Sequence, residues 1–327
     1  MEPLVSVCIA AYRHEKYIRG TLDGILNQKV DFPFEILIHD DASPDATPDI
    51  IREYAARWPD IIKPLFEEEN QYCRNISMDG TFNFPRAKGR YIALCEGDDY
   101  WCDDTKLARQ IAYMQAHPDC TFCFTNGTIH DESGTRPDRP FLPYYPEDTN
   151  ILPSGDGDLQ LADLVRLNFI PTASFVFPRE TLRALPDSFQ THQTQYGDMR
   201  LKLFLTAAGR AHYMARNTVV YRENVPTSAF QIWKREDRAK VYHRAATVVQ
   251  LAKDVDEYSR GVAAAELARL RREWLRIMAH NAPNLSALHD GEVGEVYRSL
   301  PLKEKLRCSL RLRLPEGLAH KLSKIGR

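Results

Sequence analysis

The stretch LVSVCIAAYRHEKYIRGTLDGILNQ, residues 4–28, changes its period halfway. Leu4 to Tyr12 is an apolar, β-branched run of the length expected for a strand buried in a parallel sheet. Beyond His14 the apolar residues Ile18, Leu22, Ile25 and Leu26 fall on one helical stripe. The same strand-then-helix unit recurs downstream. FEILIHDD (residues 34–41) reads as a second strand, followed by a helix capped by Thr47, with Pro48 at its first position and Ile50, Ile51, Tyr54, Ala55 and Trp58 inward. IIKPLFEE is a weaker third strand whose Pro64 suits an edge. RYIALCEG and CTFCFTN are the fourth and fifth, separated by a helix carrying Leu107, Ile111 and Met114. This alternation predicts an α/β fold, a mainly parallel central sheet flanked by helices.

Beyond residue 126 the pattern loosens. Residues 131–158 are rich in proline and turn formers and read as an ordered but irregular loop. A short helix (159–167), a strand (TASFVF), a helix over 198–208 closed by Gly209, and two short strands (RAHYMA and TVVYR) follow. From Ser228 onward the signal is helical, with stripes through Val241, Ala245, Val248, Val249 and Ala252, then Leu267, Leu270, Trp274 and Ile277. The expected division is 1–227 as a catalytic domain (halves 1–126 and 127–227) and 228–327 as a helical C-terminal extension.

The 327 residues are 43% hydrophobic and 27% charged, an ordinary globular composition. A formal net charge of −2 gives no reason to expect a nucleic-acid partner, and no apolar run is long enough to span a bilayer. The N-terminus lacks the basic region of a signal peptide, so a first strand is the expectation there. Seven cysteines are scattered; Cys120 and Cys123 lie three apart on a strand and face opposite ways, which predicts reduced structural thiols in a cytoplasmic protein.

In open parallel sheets, ligands bind beyond the carboxyl ends of the strands. Here those ends carry Tyr12 and Arg13, Asp40 and Asp41, Glu96 to Asp99, and Asn126. EGDDYWCDD places five acids within nine positions. Asp103 or Asp104 is expected to cap the next helix. The repulsion among Glu96, Asp98 and Asp99 asks for a cation, and Mg²⁺ or Mn²⁺ bridging phosphates needs only one or two carboxylates.

Four segments, VSVCIAAYRHEKYIRGTLDGILNQ, FEILIHDDASPDAT, AKGRYIALCEGDDYW and YGDMRLKLFL, occur in the order and approximate spacing of the family-2 glycosyltransferases, which this chain resembles over roughly residues 3–225. The IALCEGDDYW form is similar to that of enzymes building bacterial surface polysaccharides. The resemblance implies an inverting nucleotide-sugar enzyme of the A-type fold, with a Rossmann-like nucleotide half and Mn²⁺ or Mg²⁺ as cofactor. It implies that Ala10, Ala11 and Tyr12 wall the base and that Asp41 accepts from the base ring N–H, with Asp40 free to hold the turn before Ser43. Asp98 would face ribose or metal and Asp99 would ligate the metal. Glu96 stands where the family's pattern has aspartate, which leaves its reach to ribose or metal open. Arg74 and Arg90 lie in segments that could approach the phosphates. On its own Asp198 reads first as a helix cap; the resemblance makes it the catalytic base, and the two roles are compatible. Relatives often carry a histidine after the strand that TVVYR forms here; this chain has Asn224 near that place, and Arg222 could supply charge instead.

Phe169, Tyr144 and Tyr145 are the candidates for stacking on an acceptor saccharide, or for packing between loop and sheet. Residues 303–327 carry eight Lys or Arg against two Glu, interleaved with leucines. That fits an amphipathic helix able to lie on an anionic membrane at the inner face of the cell envelope, or a charged face docked back on the protein. The partners expected are a nucleotide-sugar, UDP first, and a saccharide or lipid-linked saccharide acceptor. A nucleotidyltransferase is the competing enzyme class, although AAYRHEKY lacks the glycines of its phosphate loop. A non-catalytic saccharide-binding scaffold is the other alternative.

Overall fold

A computed structural model describes residues 2–74 and 76–313. Strands β1 (Val5–Ala11), β2 (Phe34–Asp40), β3 (Ile62–Phe66) and β4 (Tyr91–Glu96) pair in parallel in the spatial order β3-β2-β1-β4, with the Pro64 strand at the edge. Val5, Val7, Ile9, Ile36, Ile38, Ile92 and Ala93 are wholly buried, as a sheet covered on both faces requires. Ile18, Leu22 and Ile25 of the helix Ile18–Leu26 fill one side. A Cβ on Gly24 would lie 2.5 Å from the Trp101 carbonyl oxygen, so the helix packs backbone to backbone there.

The remaining strands are β5 (Tyr100–Trp101), β6 (Cys120–Asp131), β7 (Arg139–Pro140), β8 (Gly157–Leu159), β9 (Val176–Pro178) and β10 (Arg210–Glu223). They extend the sheet as β4-β9-β6-β10-β5, with β7 on β6 and β8 on β10. Only β6 and β10 run parallel to each other; β5, β7, β8 and β9 join antiparallel. The fold is therefore the expected α/β sheet flanked by helices, with a helical C-terminal region, but its second half is mixed.

Four local expectations change. RAHYMA and TVVYR are one strand, β10, whose register on β6 shifts between Met214 and Val219, where exposed Ala215, Arg216 and Asn217 form a bulge. Of TASFVF only the end is strand, because residues 172–174 form a 3₁₀ turn first. Thr47 is inside its helix rather than its cap: Ala46 holds that position, and the Thr47 hydroxyl accepts the His14 N–H at 2.8 Å. Likewise Thr105 holds the cap position of the helix Lys106–Ala116, while Asp103 accepts from the Thr105 N–H and hydroxyl and Asp104 pairs with Lys29.

Two compact units emerge. One comprises Met1–Gln193 with Gly197–Gln231; the other comprises Thr194–Tyr196 with Ile232–Arg327. The second has its own core, in which Ala245, Val249, Leu275, Met278, Leu288 and Cys308 meet. Its helices Arg238–Ser259 and Ala264–Asn281 form a hairpin whose turn uses positive φ at Arg260 and Gly261. The helix Leu302–Arg313 buries Cys308 and turns Glu304 onto Arg276 and His280, while Leu302, Leu306 and Leu310 stay exposed (73%, 54% and 51%). Residues 314–327 of the expected basic tail lie outside the described residues. Among those described, no helix is long and apolar enough to cross a membrane. All seven cysteines are free thiols.

Candidate active site

The parallel register sets Ala11 opposite Asp40 and Ala10 opposite Glu96, so the tips of β1, β2 and β4 reach one edge together. Three non-glycine residues take left-handed backbone at this rim: Arg13 (φ 60°), Ala42 (φ 58°) and Asn224 (φ 65°), each just past a strand end. Such strain gathers at functional sites. Asp40 is buried and accepts the Ser43 N–H at 3.0 Å, while its Oδ1 has no partner; burial raises its carboxyl above the ordinary value. Asp41 is equally buried and accepts the N–H groups of Gln71 (2.7 Å) and Tyr72 (3.1 Å). Its carboxylate thus anchors the segment that crosses the rim, and a base N–H would have to use a second lone pair on the same oxygens. Tyr12 is half-buried with the Arg13 guanidinium 5.5 Å from its ring centre.

At the β4 tip the acids crowd as their spacing suggested. Burial, then the charges of Asp98 and Asp79, push the Glu96 carboxyl up to about 8; its Oε2 has no hydrogen-bond partner. Asp99 is 2% exposed, and burial followed by Asp98 and Glu96 raises it well above its ordinary value, against the Arg222 N–H donated to its Oδ1 at 2.9 Å. Asp98 is the more open of the pair, with a side chain 15% exposed. Arg222, expected only as a source of charge, binds this turn together. Its Nη1 donates to the Asp98 carbonyl at 2.7 Å, its Nε meets Glu132 at 2.9 Å, and its guanidinium lies near the Tyr17 and Tyr100 rings.

Sequence reasoning passed over His14. Its Nε2 stands 3.8 Å from Asp98 Oδ2, its side chain is 10% exposed, and its Nδ1 is buried without a partner. A Cβ on Gly97 would lie 2.6 Å from that Nδ1, so the E-G-D-D turn requires glycine to admit the imidazole. The available signal was position alone, three residues past a strand end.

Asp98, Asp99 and Glu96 offer carboxylate oxygens, and the unpartnered Glu96 Oε2 and His14 Nδ1 mark buried polar capacity left open. This donor chemistry fits Mg²⁺ or Mn²⁺. Among the described residues no three His, Cys, Asp or Glu side chains converge as a complete ligand set. A cation held here would complete its shell with phosphate and water oxygens.

Asp198 lies in the first turn of the helix Gly197–Ala207 and is half-buried. Burial raises its carboxyl, opposed by the Met199 N–H and by the charge of Lys202. Lys202 is buried one turn on and donates to the carbonyls of Leu167 and Asn168, tying this helix to the segment bearing Phe169. Phe169 and Tyr144 pack with Phe141 and Tyr221 at centroid separations of 5.0 to 5.8 Å, and Tyr145 remains exposed. Tyr221 immediately precedes Arg222, whose N–H donates to Asp99, so the chain links the aromatic cluster to the acidic turn, and burial and then the charges of Asp99 and Asp98 hold the Tyr221 phenol far above its ordinary value.

Of the groups expected near the phosphates, Arg90 is placed elsewhere, and Arg74 and Asn224 have protein partners. Arg90 precedes β4, and Tyr91 pairs with Val5 at the start of β1, so Arg90 stands at the opposite end of the strands from Glu96. Six residues of strand separate them, roughly 20 Å. Arg74 pairs with Glu69 on the surface. Asn224 donates to Asp131 at 2.8 Å and accepts from Gln231 at 3.1 Å, which occupies its amide.

The sequence profile described as Glycosyl transferase family 2 matches residues 6–170, half of the chain. This chain belongs to glycosyl transferase family 2. An uncharacterized protein of Mycobacterium tuberculosis is 40% identical over 178 residues, 54% of this chain and 47% of that protein. The putative teichuronic acid biosynthesis glycosyltransferase TuaG of Bacillus subtilis is 34% identical over 141 residues, 42% of this chain and 52% of that one. The Escherichia coli UDP-Glc:alpha-D-GlcNAc-diphosphoundecaprenol beta-1,3-glucosyltransferase WfaP is 38% identical over 112 residues, 34% and 41% of the two chains. The chain spans about half the length of the curated relatives it matches. Among solved structures, S. aureus TarS 1-349 with UDP-GlcNAc superposes with a TM-score of 0.57 at 16% identity, over 93% of this chain and 78% of that one. Mannosyltransferase PcManGT from Pyrobaculum calidifontis, with GDP-Man and Mn²⁺, gives 0.54 at 17% identity, over 100% and 88%. These likenesses establish a family-2 fold shared with nucleotide-sugar transferases.

Proposed function

We propose that this chain transfers a sugar from a nucleoside diphosphate donor, UDP-linked first, to a saccharide or lipid-linked saccharide acceptor, with inversion at the anomeric carbon. The observation that carries the reading is the acidic turn: Glu96, Asp98 and Asp99 crowd at a sheet edge beside the β1 and β2 tips, where burial penalises the charge of Glu96 and Asp99. Family membership, the UDP-GlcNAc complex of TarS and the UDP-Glc named for the E. coli relative support the donor class.

In this reading Ala10, Ala11 and Tyr12 line the base, with Asp41 holding the adjoining segment. Asp98, the more open of the two, and Asp99, whose Oδ1 accepts the Arg222 N–H, would hold a divalent cation. A bound Mg²⁺ or Mn²⁺ supplies Lewis-acid stabilisation of the departing diphosphate. Asp198 takes the proton of the acceptor hydroxyl as the new C–O bond forms, since a carboxylate cannot ionise an alcohol beforehand. The burial that raises Asp198 makes it the stronger base. Lys202 keeps that helix in register with Phe169, and the Phe141–Tyr144–Phe169–Tyr221 cluster with exposed Tyr145 forms the saccharide-facing wall.

The helical unit would meet an anionic lipid surface, which suits a lipid-linked acceptor. What supports this is the exposed Leu302, Leu306 and Leu310 stripe with exposed Lys303 and Arg307, while the acid of that helix, Glu304, is taken up by Arg276 and His280.

Thermal-shift titration tests the donor assignment. The melting temperature should rise with UDP plus Mn²⁺ and much less with either alone, and Asp98→Asn should abolish the difference. Equal shifts for UDP with and without Mn²⁺ would remove the metal-dependent reading.

A further inference from the structure

We propose that His14 binds the donor's cation: its Nε2 and an Asp98 oxygen ligate the same divalent metal. This rests on the sugar-nucleotide reading above and adds to it a nitrogen ligand from the first strand.

The two groups stand at ion-pair range but beyond the reach of a direct hydrogen bond. A charge-assisted hydrogen bond would draw an imidazole and a carboxylate to about 2.8 Å, whereas His14 Nε2 and Asp98 Oδ2 stand 3.8 Å apart. Two donors each about 2.1 Å from one ion are about 3.0 Å apart when adjacent in its shell and about 4.2 Å apart when opposite. The observed 3.8 Å matches neither arrangement as it stands, and an inward side-chain rotation closing about 0.8 Å brings the pair to the adjacent spacing.

The imidazole is also placed from all sides without being used. The His14 N–H is held by Thr47 at 2.8 Å, and its carbonyl accepts from Tyr17 and Ile18, both at 2.9 Å. The residue is 8% exposed, the Tyr17 ring meets it edge-on at 6.5 Å, and Gly97 leaves room for no more than a hydrogen opposite Nδ1. Nδ1 faces Gly97 without a partner, so the nitrogen that His14 turns toward the acidic turn is Nε2. On the other flank, Asn224 spends its amide on Asp131 and Gln231 and sends nothing to the acidic turn. His14 therefore provides the only imidazole that the described residues bring within 4 Å of Asp98.

The test is electron spin-echo spectroscopy of Mn²⁺ on the intact chain with UDP, read against His14→Ala and His14→Asp. The wild type should show ¹⁴N modulation from a coordinated imidazole. His14→Ala should lose it, with Mn²⁺ affinity of the UDP complex falling at least tenfold and metal-free UDP affinity within about twofold. His14→Asp should recover Mn²⁺ affinity through oxygen without the ¹⁴N signal. Mn²⁺ bound with UDP to wild type but without ¹⁴N coupling overturns the His14 assignment alone. Failure of both UDP and Mn²⁺ to bind the folded wild type overturns the donor reading, and His14 with it.

Discussion

Asp198 carries two demands in one carboxylate: it opens a helix, where its charge favours the N-terminus, and it must accept a proton. Asp198→Asn keeps the hydrogen-bonding shape and removes the base, so turnover should fall by roughly 10²- to 10⁴-fold. UDP affinity by calorimetry should stay near wild type; its loss would assign the residue to structure. Lys106 makes a different prediction. Its ammonium is 1% exposed, lies 4.0 Å from the Trp101 ring centre, and is pulled down to about 7 by burial. The unfolded chain keeps the ordinary lysine value near 10.4, so above pH 7 the unfolded state binds the extra proton and stability rises with pH, by at most about 1.4 kcal/mol per unit. Above about pH 8.5 the buried thiols Cys95 and Cys123, which burial holds protonated in the folded chain, pull the other way. Glu96, held protonated to about pH 8 in the folded chain, pulls against Lys106 in the same window, so the test is a difference: between about pH 7.0 and 8.5 the urea midpoint of wild type should rise relative to that of Lys106→Met.

Among the elements, periodicity revealed those with one uniform environment. β1, β2, β4 and the helices behind them are apolar wherever they are buried, and their tips led directly to Asp41, Glu96, Asp98 and Asp99. β10 was hidden because exposed Arg216 and Asn217 interrupt it with what reads as a turn, although the pairing with β6 continues past the bulge. Arg90 misled for the opposite reason: six residues along a strand are near in sequence and far in space. Arg222 and His14 could not be ranked in advance, since what distinguishes them is a neighbour more than 80 residues away. The helix Leu302–Arg313 has a test of its own. Leu306→Glu with Leu310→Glu should abolish co-flotation with phosphatidylglycerol vesicles, and neither protein should float with phosphatidylcholine. Flotation of the double variant at the wild-type level would dismiss lipid as the occupant of that stripe.

At the scale of the whole molecule, the cores are separate while the candidate donor residues all belong to one unit. UDP with Mn²⁺ should slow amide exchange at the ends of β1, β2, β4 and β10 and leave residues 238–313 unchanged; protection in the helical unit would show that it shares the donor site. The left-handed residues at the rim carry a last implication. Ala42 sits in a backbone state that its methyl group resists by about 1–2 kcal/mol. Ala42→Gly would relieve that tension, raising the melting temperature slightly while letting the bend beside Asp41 wander among more shapes. The sturdier variant should then hold its nucleotide more loosely, a case in which comfort for the polypeptide and grip on the cargo are opposed.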